Sequence, residues 1–359
     1  MKKAPAYRGR LAPTPTGHLH LGHASTFWTA QQRAIQMNGQ LVLRIEDLDR
    51  ARCKPQYQID MLEDLQWFGF CWQEGPDKGG DCGPYRQSER LPHYLEIWKR
   101  LSQAKVIYPS PHSRRDVALA LSAPHEDDRE IIFPTHLRPT QWELTDKPGK
   151  TNWRFRVPDG EIISFIDWRS CPQSFIAGED FGDFIVWRRD GFPSYELSVV
   201  ADDHGMAIAE VVRGEDLLMS TAKQILLYRS LNWTLPAFYH CPLIRDAQGQ
   251  RLAKRDSARS LKYLQAQGKS PQDILPQLHR SHCVNRLRLP GTDSLTATIW
   301  HPPNSQSSRG EFLSPSSDSP RQDLLWCPPK FCCRYLAKST EYARREGWVP
   351  AQPQHHCKD

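Results

Sequence analysis

Two hydrophobic periods alternate along the first hundred residues. Residues 7–12 and 41–45 (LVLRI) have the length and composition of short buried strands. Residues 21–38 and 56–68 carry apolar side chains at helical spacing, and Gly39 follows the first of these segments in the position of a helix cap. The order strand, helix, strand, helix predicts an α/β protein with a parallel sheet and right-handed crossovers.

The periodic pattern weakens between residues 105 and 190, where short strand-like segments are mixed with polar stretches. It returns from Tyr195 onward, with a strand expected at residues 211–213 and a helix at 220–231. After about Gln277 no period is sustained, and nine prolines and several serine-rich stretches follow. This composition predicts that residues 279–359 form a divergent, poorly structured tail.

Composition further limits the classes of protein to which this chain can belong. The 359 residues carry a formal net charge of +6 and no apolar run near the ~20 residues that a membrane span needs. No apolar stretch follows the two lysines at residues 2 and 3, so we expect no secretory signal. With ten scattered cysteines, this favours a cytoplasmic protein with reduced thiols and no membrane association. Residues 279–359 hold 11 Lys and Arg against 7 Asp and Glu, so most of the basic excess lies in the tail. The global charge is therefore no argument for an RNA partner.

Residues 13–23 (PTPTGHLHLGH) hold the first candidate chemistry. Pro13 begins a stiff loop, and Gly17 and Gly22 allow a ligand to approach the backbone. A helix that opens here offers free N–H groups and a positive dipole end to a phosphate. His20 and His23 lie three residues apart, so both can face one polyphosphate. Incidental histidines or a metal site are weaker alternatives, because no carboxylate or cysteine accompanies them.

The same segment resembles the HIGH motif of class I aminoacyl-tRNA synthetases, in the form used by the glutamyl branch. Residues 44–49 (RIEDLD), 192–203 (FPSYELSVVADD) and 211–218 (VVRGEDLL) also match that branch, and residues 251–255 (RLAKR) stand where its KMSKS loop belongs. Five motifs in the correct order cover about residues 7–262. The resemblance implies a class I Rossmann-type parallel sheet with an α+β insertion and a short helical stem region.

The resemblance also implies a division of the chain. Residues 1–104 would form the first half of the Rossmann catalytic domain, 105–190 an inserted acceptor-binding-like subdomain, and 191–278 the second half with the KMSKS-like loop. Only about a hundred residues follow that loop, too few for the helical anticodon-binding domain of a full glutamyl-tRNA synthetase. The better match is therefore the shortened glutamyl-Q tRNA(Asp) synthetase family.

That family resemblance implies an ATP-dependent ligase, acting as a monomer. It would activate L-glutamate to glutamyl-adenylate, with Mg²⁺ accompanying ATP, and transfer glutamate to queuosine in the anticodon of tRNA(Asp). Two alternatives stay open. One is a truncated glutamyl-tRNA synthetase that charges tRNA(Glu), and the other is a non-catalytic paralogue that binds tRNA or a nucleotide.

Roles follow from the matched positions. His20, His23 and Lys254 are the expected catalytic residues, and together with Pro13, Gly17 and Gly22 they are expected to bind ATP. A free amino acid with two carboxylates and one ammonium needs a site of both signs. The glutamate-contacting positions of the family fall on Arg10, Thr14, Glu46, Tyr195 and Arg213. No protein ligand is expected for a metal.

The sequence departs from the family at two places. Many members hold zinc through a C-x-C pair and a later Y-x-x-x-C, but Ser110, His112, Phe133 and Leu137 stand at the corresponding positions. We expect zinc to be absent, and the alternative is a site formed by the imidazoles of His112, His125 and His136. In the KMSKS-like loop, Arg251 and Ala253 replace the first lysine and the serine. We expect these changes to affect the rate of the reaction more than its type.

Overall fold

The computed structural model describes residues 7–112, 132–244 and 260–282. The strands are β1 (Arg8–Leu11), β2 (Gln40–Leu43), β3 (Ile107–Ser110), β4 (Asn152–Phe155), β5 (Ile162–Asp167), β6 (Cys171–Ile176), β7 (Ile185–Trp187), β8 (Glu210–Gly214) and β9 (Ala237–Cys241). The α-helices are α1 (Leu21–Gln36), α2 (Pro55–Phe68), α3 (Leu91–Gln103), α4 (Tyr195–Gly205), α5 (Leu218–Ser230), α6 (Leu261–Ala266) and α7 (Pro271–His282).

Parallel strands form the layer that carries the site. β1 pairs in parallel with β2, and β9 pairs in parallel with both β8 and β5. The backbone N–H of Ala209 donates to the carbonyl of Arg8, which places the start of β8 beside β1. The α/β class and the parallel pairing predicted from the first hundred residues are confirmed. The helices α1, α2, α4 and α5 bury apolar side chains along their lengths.

The segment between residues 105 and 190 contributes two pieces of sheet. β3, β4 and β7 form an antiparallel sheet of their own, with β4 in the middle. β5 and β6 form an antiparallel hairpin that joins the parallel layer through β5 and β9. Trp98, Trp153 and Trp187 are almost fully buried where α3 packs on the antiparallel sheet. The domain boundaries inferred from the resemblance stay predictions.

The end of α1 differs from the sequence expectation. The helix ends at Gln36 rather than at residue 38, and Asn38 rather than Gly39 adopts the left-handed conformation, with φ of 46°. Gly39 is required for another reason: a Cβ there would come within 2.5 Å of the Tyr7 carbonyl oxygen. The chain passes that close to Tyr7 because β2 begins directly beside β1.

A buried carboxyl makes the stability of this fold depend on pH. Asp64 on α2 is 2% exposed, and its Oδ2 has no hydrogen-bond partner within the described residues. Burial, together with nearby Asp60, raises the pKa of Asp64 to about 7. A raised carboxyl pKa means that the folded state holds the proton more tightly, so its stability falls as pH rises from about 4 to 7.

We expect Asp64→Asn to flatten this dependence. The stability of the variant relative to the parent should rise by about 2 kcal/mol between pH 5 and pH 8, as the parent's buried carboxyl ionises. Urea unfolding at the two pH values measures the difference, with the exposed Asp81→Asn as the matched control. Parallel pH profiles for the parent and Asp64→Asn would contradict the assignment.

Across the three described ranges, no helix combines the length and the apolar character that crossing a membrane requires.

Candidate functional site

A cavity of about 580 Å³ opens at the carboxyl ends of β1 and β8 and beside the start of α1. The structure brings nine of the predicted site residues together around it: Arg10, Pro13, Thr14, His20, Gly22, His23, Glu46, Tyr195 and Arg213. Gly17 is not among the residues that line the cavity. Lys254 and the rest of the KMSKS-like loop, like most of the predicted tail, lie outside the described residues.

The two histidines cap the first turn of α1 through each other. His20 is the N-cap residue, and its Nδ1 accepts from the Gly22 backbone N–H at 3.1 Å. The His23 Nδ1 accepts in turn from the His20 backbone N–H at 3.2 Å. Because each Nδ1 accepts, each neutral ring carries its proton on Nε2. Each can therefore donate through Nε2 to an oxygen in the cavity.

Gly22 makes this arrangement possible. The imidazole rings of His20 and His23 have centroids 3.8 Å apart, and the His20 ring folds over the Gly22 backbone. A Cβ at position 22 would lie 2.9 Å from the His20 Cε1, closer than Cβ contacts normally occur. The glycine that the sequence assigns to ligand approach therefore also provides the space in which the His20 ring packs.

A buried group of charges holds one wall of the cavity. Arg44 is fully buried and donates from Nη2 to Glu46 Oε1 at 3.0 Å and from Nη1 to Asp203 Oδ1 at 2.7 Å. The Arg10 Nη1 donates to the Val212 carbonyl at 2.6 Å, and its Nε lies 3.4 Å from Asp203 Oδ1. Burial raises the pKa of Glu46, although Arg44 and Arg10 oppose the rise. The wall presents an anion and a cation side by side.

Arg213 and Tyr195 line the cavity beside this group. Arg213 lies on β8 and is 4% exposed, and its Nη1 donates to the Tyr195 hydroxyl at 3.4 Å. Its Nη2 donates to Thr221 Oγ1 at 2.6 Å. Desolvation raises the pKa of Tyr195 to about 12, which keeps the phenol protonated and able to donate. A small molecule in the cavity meets two guanidinium groups and one carboxylate.

The residues on either side of the KMSKS-like loop lie at the site. Ile244, just before the undescribed stretch, lines the cavity. Ser260, just after it, pairs with His20 through an isolated bridge and caps α6 with its hydroxyl. The catalytic role of Lys254 stays a prediction.

Several cavity residues were not predicted from the sequence. They are Ala12, Thr26, Phe27, Val212, Gly214, Asp216, Leu217, Pro242, Leu243 and Ile244. Phe27 follows His23 by four residues on α1, and their rings stack with centroids 6.2 Å apart. Helical spacing from His23 could have found it. Residues 242–244 carry no comparable signal, because only the fold brings the end of β9 to the cavity.

Packed side chains around Phe133 occupy the positions at which the family resemblance implies zinc ligands. Phe133 is 2% exposed and packs beside Tyr108, and the guanidinium of Arg154 lies 4.3 Å from the Phe133 ring centroid. Ser110 is buried, and its Oγ accepts from Arg154 Nε at 3.3 Å. Leu137 packs against the same cluster. A guanidinium and aromatic faces attract each other, so these residues stabilise the segment by packing.

The alternative zinc site from three histidines lies only partly within the described residues. His112 and His136 are described, whereas His125 lies outside the described residues. Among the described residues no group of three or more His, Cys, Asp or Glu side chains could hold a metal ion. The absence of zinc stays a prediction.

The capping geometry separates two roles of His20. Asparagine is also a good N-cap residue, but it has no donor at the place of the imidazole Nε2. We therefore expect His20→Asn to keep the melting temperature while lowering the rate of amino-acid activation at least tenfold, as for a lost transition-state donor. His20→Ala should lower both the melting temperature, because the cap is lost, and the rate of amino-acid activation. Thermal melts and initial rates of pyrophosphate exchange measure the two effects, and activity within twofold of the parent would refute the role.

Comparison with known proteins identifies the class. Residues 6–285 match the family model described as tRNA synthetases class I (E and Q), catalytic domain. The chain therefore belongs to the class I tRNA synthetases of this family. It is a ligase of the aminoacyl-tRNA synthetase type with the class I catalytic fold, as the sequence motifs predict.

Two relatives and one solved structure show which members of this family the chain resembles. The chain is 44% identical over 275 residues to a glutamyl-Q tRNA(Asp) synthetase of Symbiobacterium thermophilum, covering 75% of this chain and 84% of that protein. It is 40% identical over 265 residues to one of Nitratidesulfovibrio vulgaris, covering 73% and 82%. A solved glutamate-tRNA synthetase from Elizabethkingia anophelis superposes with a TM-score of 0.60 at 29% identity, covering 70% of this chain and 53% of that one. The chain thus spans about half of that longer synthetase but most of the shorter relatives.

Proposed function

We propose that this protein activates L-glutamate with ATP and transfers the glutamyl group to queuosine in the anticodon of tRNA(Asp). In the first step the glutamate α-carboxylate attacks the α-phosphorus of ATP, which forms glutamyl-adenylate and releases pyrophosphate. In the second step a queuosine hydroxyl attacks the adenylate carbonyl, and AMP leaves. The likeness to two glutamyl-Q tRNA(Asp) synthetases over more than four-fifths of their lengths supports the choice of acceptor.

The observation that carries the first step is the pairing of charges in the cavity. Free glutamate has two carboxylates and one ammonium at neutral pH. Arg10 and Arg213 are suited to bind the carboxylates, and Glu46 to bind the ammonium. Thr14 and Tyr195 add neutral hydrogen-bonding groups to the same cavity. A neutral or cationic amino acid would leave at least one buried charge without a partner.

ATP fits beside this pocket. The start of α1 offers the positive end of its helix dipole to the phosphates. His20 and His23 each hold a donor at Nε2, and Lys254 supplies a cation over the leaving pyrophosphate. Phosphoryl transfer of this kind depends on positioning and charge neutralisation. We assign Mg²⁺ to the ATP phosphates, with no protein ligand.

The first experiment is glutamate-dependent exchange of labelled pyrophosphate into ATP without tRNA. We expect exchange with L-glutamate and at least a hundredfold less with glutamine, which lacks the second carboxylate. No exchange with glutamate would contradict catalysis and favour a non-catalytic nucleotide- or tRNA-binding paralogue.

The second experiment tests the acceptor. Labelled glutamate should transfer to tRNA(Asp) containing queuosine and not to the same tRNA from a host that lacks the modification. Periodate oxidation before the reaction destroys the cis-diols of queuosine and of the 3′-terminal ribose. Repair of the 3′ end then restores only the terminal diol. Labelling that returns after repair would identify the product as 3′-charged tRNA and contradict queuosine as the acceptor.

A further inference from the structure

A row of buried polar side chains runs behind the cavity wall, across three neighbouring strands. Asp167 is the last residue of β5, His240 lies on β9, and Arg213 is the register partner of His240 on β8. They are 1%, 0% and 4% exposed. The His240 Nδ1 lies 2.7 Å from Asp167 Oδ2, and the Arg213 Nε donates to His240 Nε2 at 3.2 Å.

The hydrogen bonds fix where the protons lie. Asp167 accepts from the backbone N–H of His240 with Oδ2 and from the backbone N–H of Ser170 with Oδ1. Burial opposes ionisation of this carboxyl, but the hydrogen bonds from His240 and the backbone outweigh it and lower the pKa of Asp167. A charged Asp167 accepts the Nδ1 proton of His240, so the Nε2 of the neutral ring carries a lone pair.

The environment keeps that ring neutral. Burial and the neighbouring Arg213 lower the pKa of His240, although Asp167 opposes the shift. A neutral His240 can accept from the Arg213 guanidinium, whereas a protonated ring would place two cations in contact. Thr221 completes the arrangement, because its Oγ1 accepts from Arg213 Nη2 and lies 3.0 Å from His240 Nε2.

These contacts hold the Arg213 guanidinium on one side and leave its other side at the cavity. The Nε and Nη2 of Arg213 are bound by His240 and Thr221 behind the wall, while Nη1 points to the Tyr195 hydroxyl at the cavity. We propose that Asp167, His240 and Thr221 are positioning residues, which orient the Arg213 guanidinium toward a carboxylate of bound glutamate. This inference rests on the proposed function.

Two substitutions of His240 separate positioning from packing. In His240→Asn the side-chain amide still reaches Asp167, but nothing remains at the Nε2 position to accept from Arg213. In His240→Gln an oxygen can occupy the Nε2 position and accept from Arg213, while the bond to Asp167 is lost. We expect His240→Asn to raise the KM for glutamate about tenfold or more, and His240→Gln to stay within about threefold of the parent. The KM for ATP should be unchanged in both.

Thr221→Val provides a second measurement that removes one hydroxyl with little change of shape. It should raise the KM for glutamate about threefold or more, because the Nη2 of Arg213 loses its acceptor. Glutamate-dependent pyrophosphate exchange measures each constant, and circular dichroism confirms that each variant is folded. Should His240→Asn fail to fold, the result for Thr221→Val decides.

The outcomes are distinct from those of the proposed function. An inactive parent enzyme would overturn the proposed function itself. An active parent whose glutamate KM is the same in His240→Asn, or in a folded Thr221→Val, would overturn the positioning role alone. Equal losses in His240→Asn and His240→Gln would also overturn it, since packing rather than an acceptor at Nε2 would then account for the effect.

Discussion

Replacing Arg213 with methionine is expected to lower kcat/KM for L-glutamate by about two to three orders of magnitude in pyrophosphate exchange. Methionine keeps most of the buried volume but removes the cation that faces a substrate carboxylate. Losing one partner of a buried, hydrogen-bonded charge pair costs about 2–5 kcal/mol. Most of the loss should fall on the KM for glutamate, because the carboxylate is bound in the ground state. The KM for ATP should change little.

Arg229→Met is the matched control for this prediction. Arg229 lies on α5, and its ion pair with Glu161 is largely exposed. Such surface pairs contribute little, so the control should retain parental kinetics. Arg213→Lys adds a third point: it keeps the charge but loses the Nε–H bond to His240, and we expect an intermediate KM. A parental glutamate KM in Arg213→Met would remove Arg213 from the binding site.

Replacing Arg44 with methionine is expected to lower the free energy of unfolding by about 3–5 kcal/mol. Arg44 is fully buried between Glu46 and Asp203, and Asp202 lies 3.8 Å from its Nε. Without the cation, buried carboxylates face one another in a medium that solvates them poorly, which is the large cost of breaking a buried pair. Urea unfolding monitored by fluorescence measures the change.

Arg52→Met serves as the control for Arg44. Arg52 is 72% exposed in its side chain and pairs with Asp49 three residues earlier. Removing it should change the unfolding free energy by less than about 1 kcal/mol. If Arg44→Met also lowered the unfolding free energy by less than about 1 kcal/mol, Arg44 would not be the group that stabilises the buried carboxylates.

Local patterns were sufficient to predict the first strands and helices. β1, α1, β2 and α2 follow one another along the chain, and each carries its own hydrophobic period. The HIGH-like segment was predictable for the same reason, since loop, cap and both histidines lie within eleven residues. The predicted end of α1 was wrong by two residues. Gly39 is required by its close approach to Tyr7, which precedes the helix in the sequence, and not by a helix cap.

What the sequence could not reveal depends on strands that meet only in the folded chain. Asp167 and His240 are 73 residues apart, and nothing in either local context marks them as neighbours. Arg44 opens the RIEDLD segment, but that segment does not show that Arg44 is the buried cation between the carboxylates of Glu46 and Asp203. Both relationships arise from register between strands and from helix packing, which one-dimensional patterns do not encode.

The interior that surrounds Arg44 also constrains how this chain can change over generations. Arg10, Arg44 and Arg90 face Glu46, Asp202 and Asp203, three cations against three anions, all nearly without solvent. A mutation that alters one of these charges unbalances the other five at once. Descendants that keep the fold must therefore exchange such residues as compensating pairs, and this region should drift in coupled steps while the exposed faces of the helices drift singly.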